Sequence, residues 1–349
     1  MTSIDLRSDT VTRPDERMRT AMATAEVGDD VLDGDPTMRR LEDRAAELLG
    51  MPAALWVPTG CMGNTIALML HLKRGDSFLA PEDAHVLNHE LGTAAWLAGG
   101  MPQALPCDVG PGRFSPDAVR AATDNTGPYH SMRTSLLCLE NTHNSAGGTV
   151  LPPEEHGRLV AVARDQRLAV HLDGARLWNA AVAAGVSPAE LTTGVDTVQS
   201  CLSKGLGAPM GSVVAGTEEF VGEARRIRKM LGGGVRQGGV VAAAGLVALE
   251  RIEDLAVDHD NARALADGLA ELGWRVREPQ TNILLAELPG LTQAEALERL
   301  TALGVLAGPM AGQVRFVTHR DVSKSDIDEV LNRMRRSEWA GSSSTTARS

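Results

Sequence analysis

From residue 53 onward, short apolar runs alternate with segments whose apolar positions recur at helical spacing. The runs "AALWVPTG", "DSFLAPE", "SLLCLENT" (135–142), "LAVHLDGAR" (168–176) and "VDTVQSCLSKG" (195–205) are apolar on both faces. Between them lie helical patterns such as "CMGNTIALMLHLKRG" and "PPEEHGRLVAVARDQ" (152–166), with another helical stretch running through Ala98. Strands of this kind, separated by helices, predict a mostly parallel sheet covered on both sides, an α/β fold.

A long helical pattern, "VRQGGVVAAAGLVALERIED" (235–254), precedes a change of character. After it come "DHDNARALADGLAELG", the strand "TNILLAEL", the helix "TQAEALERLTALG", the strand "GQVRFVTH" and the helix "SKSDIDEVLNRMRR". This predicts residues 1–250 as a large domain that includes the N-terminal segment, and 251–338 as a smaller C-terminal α+β domain. The stretch "GSSSTTARS" has next to no apolar content to bury, and residues 339–349 are expected to be a disordered tail.

Composition narrows the function classes. The formal charge is -11, and the densest basic run is "RRIRK" (225–229), so nucleic acid is not an expected partner. No apolar run approaches the roughly 20 residues of a membrane helix, and "MTSIDLRSDTVTRP" lacks the apolar core of a signal peptide, so a cytoplasmic protein without a membrane partner is expected. Cys61, Cys107, Cys138 and Cys201 are scattered without paired spacing and read as reduced thiols, and no metal site is expected. Asp29, Asp30, Asp33 and Asp35 lack calcium-loop spacing and read as a solvated turn.

The candidate chemistry lies where strands end, because ligands of an open parallel sheet bind beyond the carboxyl ends of its strands. Lys204, in "SCLSKGLGAPMGS", follows an apolar strand with no acidic neighbour in sequence, and Asp173 ends "AVHLDGAR". A surface lysine with its stem on apolar neighbours, or a salt bridge between the two, would explain the pair equally well. "PTGCMGN" turns from a strand into a helix, so its amides and the helix dipole could hold a phosphate, or it could be a plain turn. Together the parts suggest more: a phosphate cradle, a carboxylate able to pair with a pyridine nitrogen and a lysine able to form a Schiff base.

These residues carry a resemblance over nearly the whole chain. The strings "DLRSDTVTRP", "VGDDV" with "GDPTMRRLE", "PTGCMGN", Ala84 and His85, "LLCLENTHNSAGGTVLP", "HLDGARLWNA", "CLSKGLGAPMGS", "RKMLGGGVRQGG" and "VRFVTH" occur in the order of the threonine aldolase family, fold type I of the pyridoxal 5'-phosphate enzymes, which the chain resembles. The resemblance implies that Lys204 bonds the cofactor, Asp173 pairs with its ring nitrogen and His85 stacks on its ring. Its phosphate would meet the amides of Gly60 and Cys61 with the hydroxyl of Ser203, and a basic residue, Lys229 or Arg236, would arrive from a neighbouring subunit. Arg176, with Arg315 from the small domain and Ser8 beside them, would bind the substrate carboxylate, a task suited to the planar arginine fork. His85 and His130 are the candidate bases for the β-hydroxyl, and they are not ranked.

The implied activity is reversible cleavage of L-threonine, L-allo-threonine and related β-hydroxy-α-amino acids to glycine and an aldehyde, in a homotetramer built as a pair of dimers with shared active sites. A β-eliminating lyase or an aminotransferase on the same scaffold is the alternative, because fold does not decide chemistry. Leu32 stands where many family members carry tyrosine, and His89 where others place an aromatic residue, so both are expected to shape the pocket for the β-substituent.

Overall fold

A computed structural model describes residues 3–123 and 127–337, so the tail expected at 339–349 lies outside the described residues. In chain order the strands are β1 (Ile4–Asp5), β2 (Ala53–Val57), β3 (Ser77–Pro81), β4 (Met101–Leu105), β5 (Thr134–Glu140), β6 (Ala169–Asp173), β7 (Thr197–Cys201), β8 (Ser212–Gly216), β9 (Arg275–Val276), β10 (Ile283–Glu287), β11 (Val305–Leu306), β12 (Gly308–Met310) and β13 (Gln313–Val317). The large sheet has seven strands in the order β2-β8-β7-β6-β5-β3-β4. Its run from β7 to β4 is parallel, while β8 pairs antiparallel with both β7 and β2. The α/β class with a mostly parallel sheet is therefore present, closed on one side by an antiparallel pair.

Every residue of β3, β7 and β8 is buried, as expected of strands covered on both faces. The cover is helical, and local chemistry sets its boundaries. Asp35 caps helix Pro36–Leu49 by accepting from the amides of Thr37 and Met38, Pro36 occupies the first turn, and Gly50 closes the helix at φ 60°. Thr59 caps helix Gly60–His71 by accepting from the Met62 amide. Two helical expectations shorten: the stretch before Ala98 forms only the turns His85–Asn88 and Ala94–Ala98, and the pattern 235–254 is a helix only over Gly239–Leu249. Paired glycines at Gly238 and Gly239 explain the late start of the second, since glycine weakens a helix by roughly 1 kcal/mol relative to alanine.

The C-terminal unit is a four-stranded antiparallel sheet, β12-β13-β10-β9, packed against helices Leu255–Glu271 and Lys324–Arg336 around Leu265, Leu269, Phe316 and Met334. The N-terminal residues join this unit rather than the large one: β1 pairs in parallel with β11, and Ile4 and Leu6 belong to the smaller core. Strand pairing across about three hundred residues leaves no local signal, which is why periodicity assigned them elsewhere. The acidic turn also differs from expectation. Asp35 is fully buried as a cap, Asp30 pairs with Arg228 at 2.5 Å, and Asp29 pairs with Arg236, so arginines and backbone amides replace solvent.

Candidate active site

The register of the sheet brings the site together. Glu140 at the end of β5 lies opposite Asp173 at the end of β6, which in turn faces Gln199 in β7. Polar side chains at three neighbouring strand ends thus converge beside the N-terminus of helix Gly60–His71, where the first amides have no partner within the helix. Asp173 and Gln199 line a cavity of about 350 Å³ together with Cys61, Asn64, His85, Glu90, Ser203 and Lys204. Lys204 is half-buried in the loop joining β7 to β8, three residues beyond the strand, rather than at the strand end itself. Trp178 anchors that loop by donating its indole N–H to the Cys201 carbonyl at 2.9 Å, and the Thr12 hydroxyl donates to the Lys204 carbonyl at 2.8 Å.

Asp173 is buried and held on both oxygens. Asn64 Nδ2 donates to Oδ2 at 2.9 Å and the Ala175 amide to Oδ1 at 3.1 Å. With its amide turned so that the nitrogen faces the carboxylate, Gln199 adds a donor at 3.1 Å. A carboxylate with this many donors keeps its orientation towards the cleft. The glycines at the helix start leave no spare room: a Cβ on Gly60 would stand 2.9 Å from Cys201 Sγ, and one on Gly63 2.6 Å from Gln199 Cγ.

His85 sits across the cleft. Its amide donates to Glu140 Oε2 at 2.7 Å, and its Nδ1 lies 2.9 Å from Oε1 of the buried Glu90. Burial alone would depress the His85 pKa, but the hydrogen bond to Glu90 and the charges of Asp173, Glu90 and Glu140 outweigh it and raise the pKa. Burial, helped by Asp173, pushes Glu90 up as well, against the bonds from His85 and Asn64. The two rises fit one proton held between histidine and carboxylate. The ring of His89 is 5.4 Å from that of His85. Burial and the neighbouring His85 lower the His89 pKa.

The two expected carboxylate-binding arginines meet, but not as equals. Arg176 is buried, with Nε and Nη2 both committed at 2.7 Å to the oxygens of Asp9, and Asp9 is itself fully buried. Burial would raise the Asp9 pKa, but Arg176 overrides it and holds the carboxyl well below the usual carboxylate range. Only Nη1 of Arg176 remains, on Asn144 Oδ1 at 3.2 Å, and Arg315 Nη1 meets the same oxygen at 3.2 Å. Burial and the neighbouring Arg176 push the Arg315 pKa down to about 10. Two guanidinium groups facing one neutral amide oxygen form a site for an anion. Among the described residues, Arg315 thus rests on neutral oxygens only, those of Asn144 and the Arg7 carbonyl, whereas Arg176 is anchored by Asp9 with only Nη1 turned to Asn144.

Other expected residues stand apart in this protomer. His130 is exposed four residues before β5. The seven residues of β5 span roughly 20 Å between its start and its carboxyl end, and His130 is not in the cavity lining of this protomer. Lys229 is exposed, and Arg236 is paired with Asp29 at 3.1 Å; neither lines the cavity. Ser8 accepts from the Thr10 amide and hydroxyl, while the Arg7 carbonyl next to it receives Arg315 Nη2 at 3.2 Å. Leu32 is 75% exposed, outside the cavity lining. Sequence reasoning gave no role to Asp9, Asn64, Glu90, Glu140 or Asn144, although all but Glu90 fall inside the motif strings.

The donor set fits pyridoxal 5'-phosphate: helix amides with the Thr59 and Ser203 hydroxyls for a phosphate, a fixed buried carboxylate for a pyridine nitrogen, and a lysine amine for an aldehyde. Cys61, His85 and Glu90 also place three potential metal-ligating atoms within 4.8 Å of one another. Burial, Glu90 and Asp173 push the Cys61 thiol up to about 11, against the thiolate that binds a metal, and His85 and Asn64 already occupy Glu90 Oε1.

Known proteins resemble the chain at two levels. The profile of the family described as Beta-eliminating lyase matches residues 5–289. The low specificity L-threonine aldolase of Escherichia coli (strain K12) is 43% identical over 338 residues, covering 94% of this chain and 97% of that protein. Low-specificity L-threonine aldolase 1 of Arabidopsis thaliana is 41% identical over 342 residues, covering 95% of each. Among solved structures, a Leishmania major threonine aldolase superposes with a TM-score of 0.81 at 20% identity, over 95% of this chain and 98% of that one. An aspartate aminotransferase of Thermus thermophilus does so at 0.71 and 17% identity, over 96% and 91%, a likeness of fold alone.

Proposed function

Because this chain belongs to the beta-eliminating lyase family, with low-specificity L-threonine aldolases more than 40% identical over almost its whole length, we propose that it cleaves L-threonine, L-allo-threonine and related β-hydroxy-α-amino acids to glycine and an aldehyde, reversibly. Two observations support this best: Lys204, Asp173 and His85 line one cavity, and Arg315 and Arg176 converge on Asn144. A carboxylate-bearing amine set against those arginines presents its Cα to the cofactor side and its β-carbon to the histidines.

The cofactor is pyridoxal 5'-phosphate, which supplies an aldehyde to couple the substrate amine and a protonated ring that stabilises negative charge at Cα. The chain's residues do the rest. Asp173, fixed by Asn64, Ala175 and Gln199, keeps a proton on the ring nitrogen. Lys204 is the amine that would hold the cofactor by its aldehyde. Arg315 takes the substrate carboxylate in its fork with Arg176 Nη1 beside it, and so sets which bond at Cα breaks. His85 takes the proton of the β-hydroxyl as the carbon–carbon bond opens.

The exposed apolar side chains Val31, Leu32, Met230 and Val240, near Lys229 and Arg236, support the reading of a homotetramer of paired dimers in which Lys229 or Arg236 reaches a neighbour's phosphate site. In the same reading His130, absent from this chain's cavity lining, would meet the cleft of another copy. No described helix is long and apolar enough to cross a membrane, and a cytoplasmic location is part of the reading. The test is to purify the yellow protein, add borohydride and identify Lys204 as the modified residue, then assay L-threonine. Acetaldehyde with glycine is expected; ammonia with a keto acid instead would overturn the aldolase reading in favour of β-elimination.

A further inference from the structure

Behind His85 runs a chain of hydrogen bonds whose directions are fixed by what each group can donate. Asn64 Nδ2 gives its two protons to Glu90 Oε1 at 2.8 Å and Asp173 Oδ2 at 2.9 Å, which leaves its Oδ1 as an acceptor. That oxygen is 3.0 Å from His171 Nε2, so Nε2 carries the proton. Burial depresses His171 to about 3 and keeps the ring neutral, so its Nδ1 accepts from the Thr197 hydroxyl at 2.9 Å. The Thr197 oxygen then accepts from His71 Nε2 at 2.9 Å. Each member admits one orientation, and the chain ends with Glu90 Oε1 presented as an acceptor to His85 Nδ1 at 2.9 Å.

Glu90 is suited to little else. Glu90 borders the cavity, yet its side chain has no exposed surface, Oε2 has no partner among the described residues, and Oε1 is taken by Asn64 and His85. A buried carboxylate costs stability unless its bonds offset the desolvation, and this one bonds only the Asn64 amide and the His85 ring. We propose that Glu90 is a positioning residue: clamped by Asn64, it holds the His85 proton on Nδ1 and so leaves Nε2 bare and turned towards the β-hydroxyl of the substrate. This rests on the aldolase reading above and extends it, because it selects His85 over His130 as the base acting within this protomer. Through Asn64 it also ties the orientation of the base to that of Asp173, so both carboxylates are set by one amide. The groups facing His85 are Glu90, Glu140 from β5, Asp173 from β6 and the ring of His89; of these, only Glu90 bonds the imidazole.

The experiment uses the holoenzyme with ¹⁵N-labelled histidine, the His85 signals being identified by their loss in His85→Asn. In the wild type the ring nitrogens are expected to report the Nδ1–H tautomer and a titration above the ordinary 6.5 or so of histidine. Glu90→Gln keeps the shape and removes the charge. It is expected to lower the proton affinity of His85 by about tenfold and kcat by on the order of 100-fold, with the KM for L-threonine near the wild-type value and the acid limb of the kcat profile moved to lower pH. Glu90→Asp is expected to recover part of both. An Nε2–H tautomer in the wild type overturns the proposal without any variant, as does a His85 titration unchanged in Glu90→Gln. If the wild type shows the Nδ1–H tautomer yet releases no acetaldehyde from L-threonine, the aldolase reading fails while the positioning by Glu90 stands.

Discussion

Replacing Asp9 by asparagine strips its counter-charge from Arg176 while keeping the shape of the site. Both side chains are withdrawn from water, 0% and 5% exposed, and they share two bonds of 2.7 Å. Breaking a buried pair by removing one partner costs about 3–5 kcal/mol, because the surviving charge is left in a poorly polarisable interior. The unfolding entropy of a chain of 349 residues is about 0.7 kcal/mol/K. The melting temperature of the holoenzyme, read by scanning calorimetry, should therefore fall by about 4–7 °C. The folded-state pKa of Asp9 is depressed, so its contribution is present above the unfolded value of 3.8 and is lost only as the pH falls through the lower folded value. The gap between wild type and variant should thus be constant from about pH 5 to 8. A double variant, Asp9→Leu with Arg176→Met, should regain most of the melting temperature, since an apolar pair of similar volume replaces a buried ion pair without loss, while activity stays abolished. A melting temperature within about 1 °C of wild type in Asp9→Asn, or a double variant less stable than the single one, would refute this account of Arg176 as an anchored charge.

Arg315→Lys keeps the charge but loses the fork, so it should raise the KM for L-threonine and lower kcat together, with kcat/KM down on the order of 10–100-fold; steady-state kinetics like the wild type's would remove Arg315 from the site. Burial, with Asp9 nearby, raises the pKa of Asp258 to about 7. The folded state then binds the extra proton between about 3.8 and 7, and stability falls as the pH rises through that window. Asp258→Asn should accordingly melt higher than wild type at about pH 8 and by roughly half that margin at about pH 5.5, and a gap that is the same at both would exclude titration of Asp258. His89→Phe should change the ratios of kcat/KM among L-threonine, L-allo-threonine and L-phenylserine, because a polar ring 5.4 Å from that of His85 becomes an apolar one; three unchanged ratios would place His89 outside the β-substituent pocket.

The parts of this protein that are written locally were legible in its sequence. Strands buried on both faces leave continuous apolar runs, so β2, β3, β5, β6, β7 and β10 stand where the runs do. Residues whose chemistry is carried by their own short motif were legible too: Gly60 and Cys61 at a helix start, Asp173 at a strand end and Lys204 in its small-residue loop all line one cavity. What periodicity could not assign was anything decided by a partner distant in the chain. Strand β1, for example, pairs with a strand from the opposite end of the sequence.

The support of the site belongs to this second kind. Arg176 and Asp9 are separated by 167 positions, Asn64 and Asp173 by 109, and Arg315 and Asn144 by 171. The sequence by itself determined which residue types were available at each strand end, because a strand's burial and a helix's cap depend on neighbours a few residues away. Only the tertiary structure decided how they are shared out: that Arg176 is taken by Asp9 while Arg315 has no acidic partner among the described residues, that Asp173 is held by Asn64, and that His130 stands before the amino end of β5. Ion pairs and hydrogen bonds act over a few ångströms, and distance in space is set by sheet register and crossover, which no short stretch of sequence encodes.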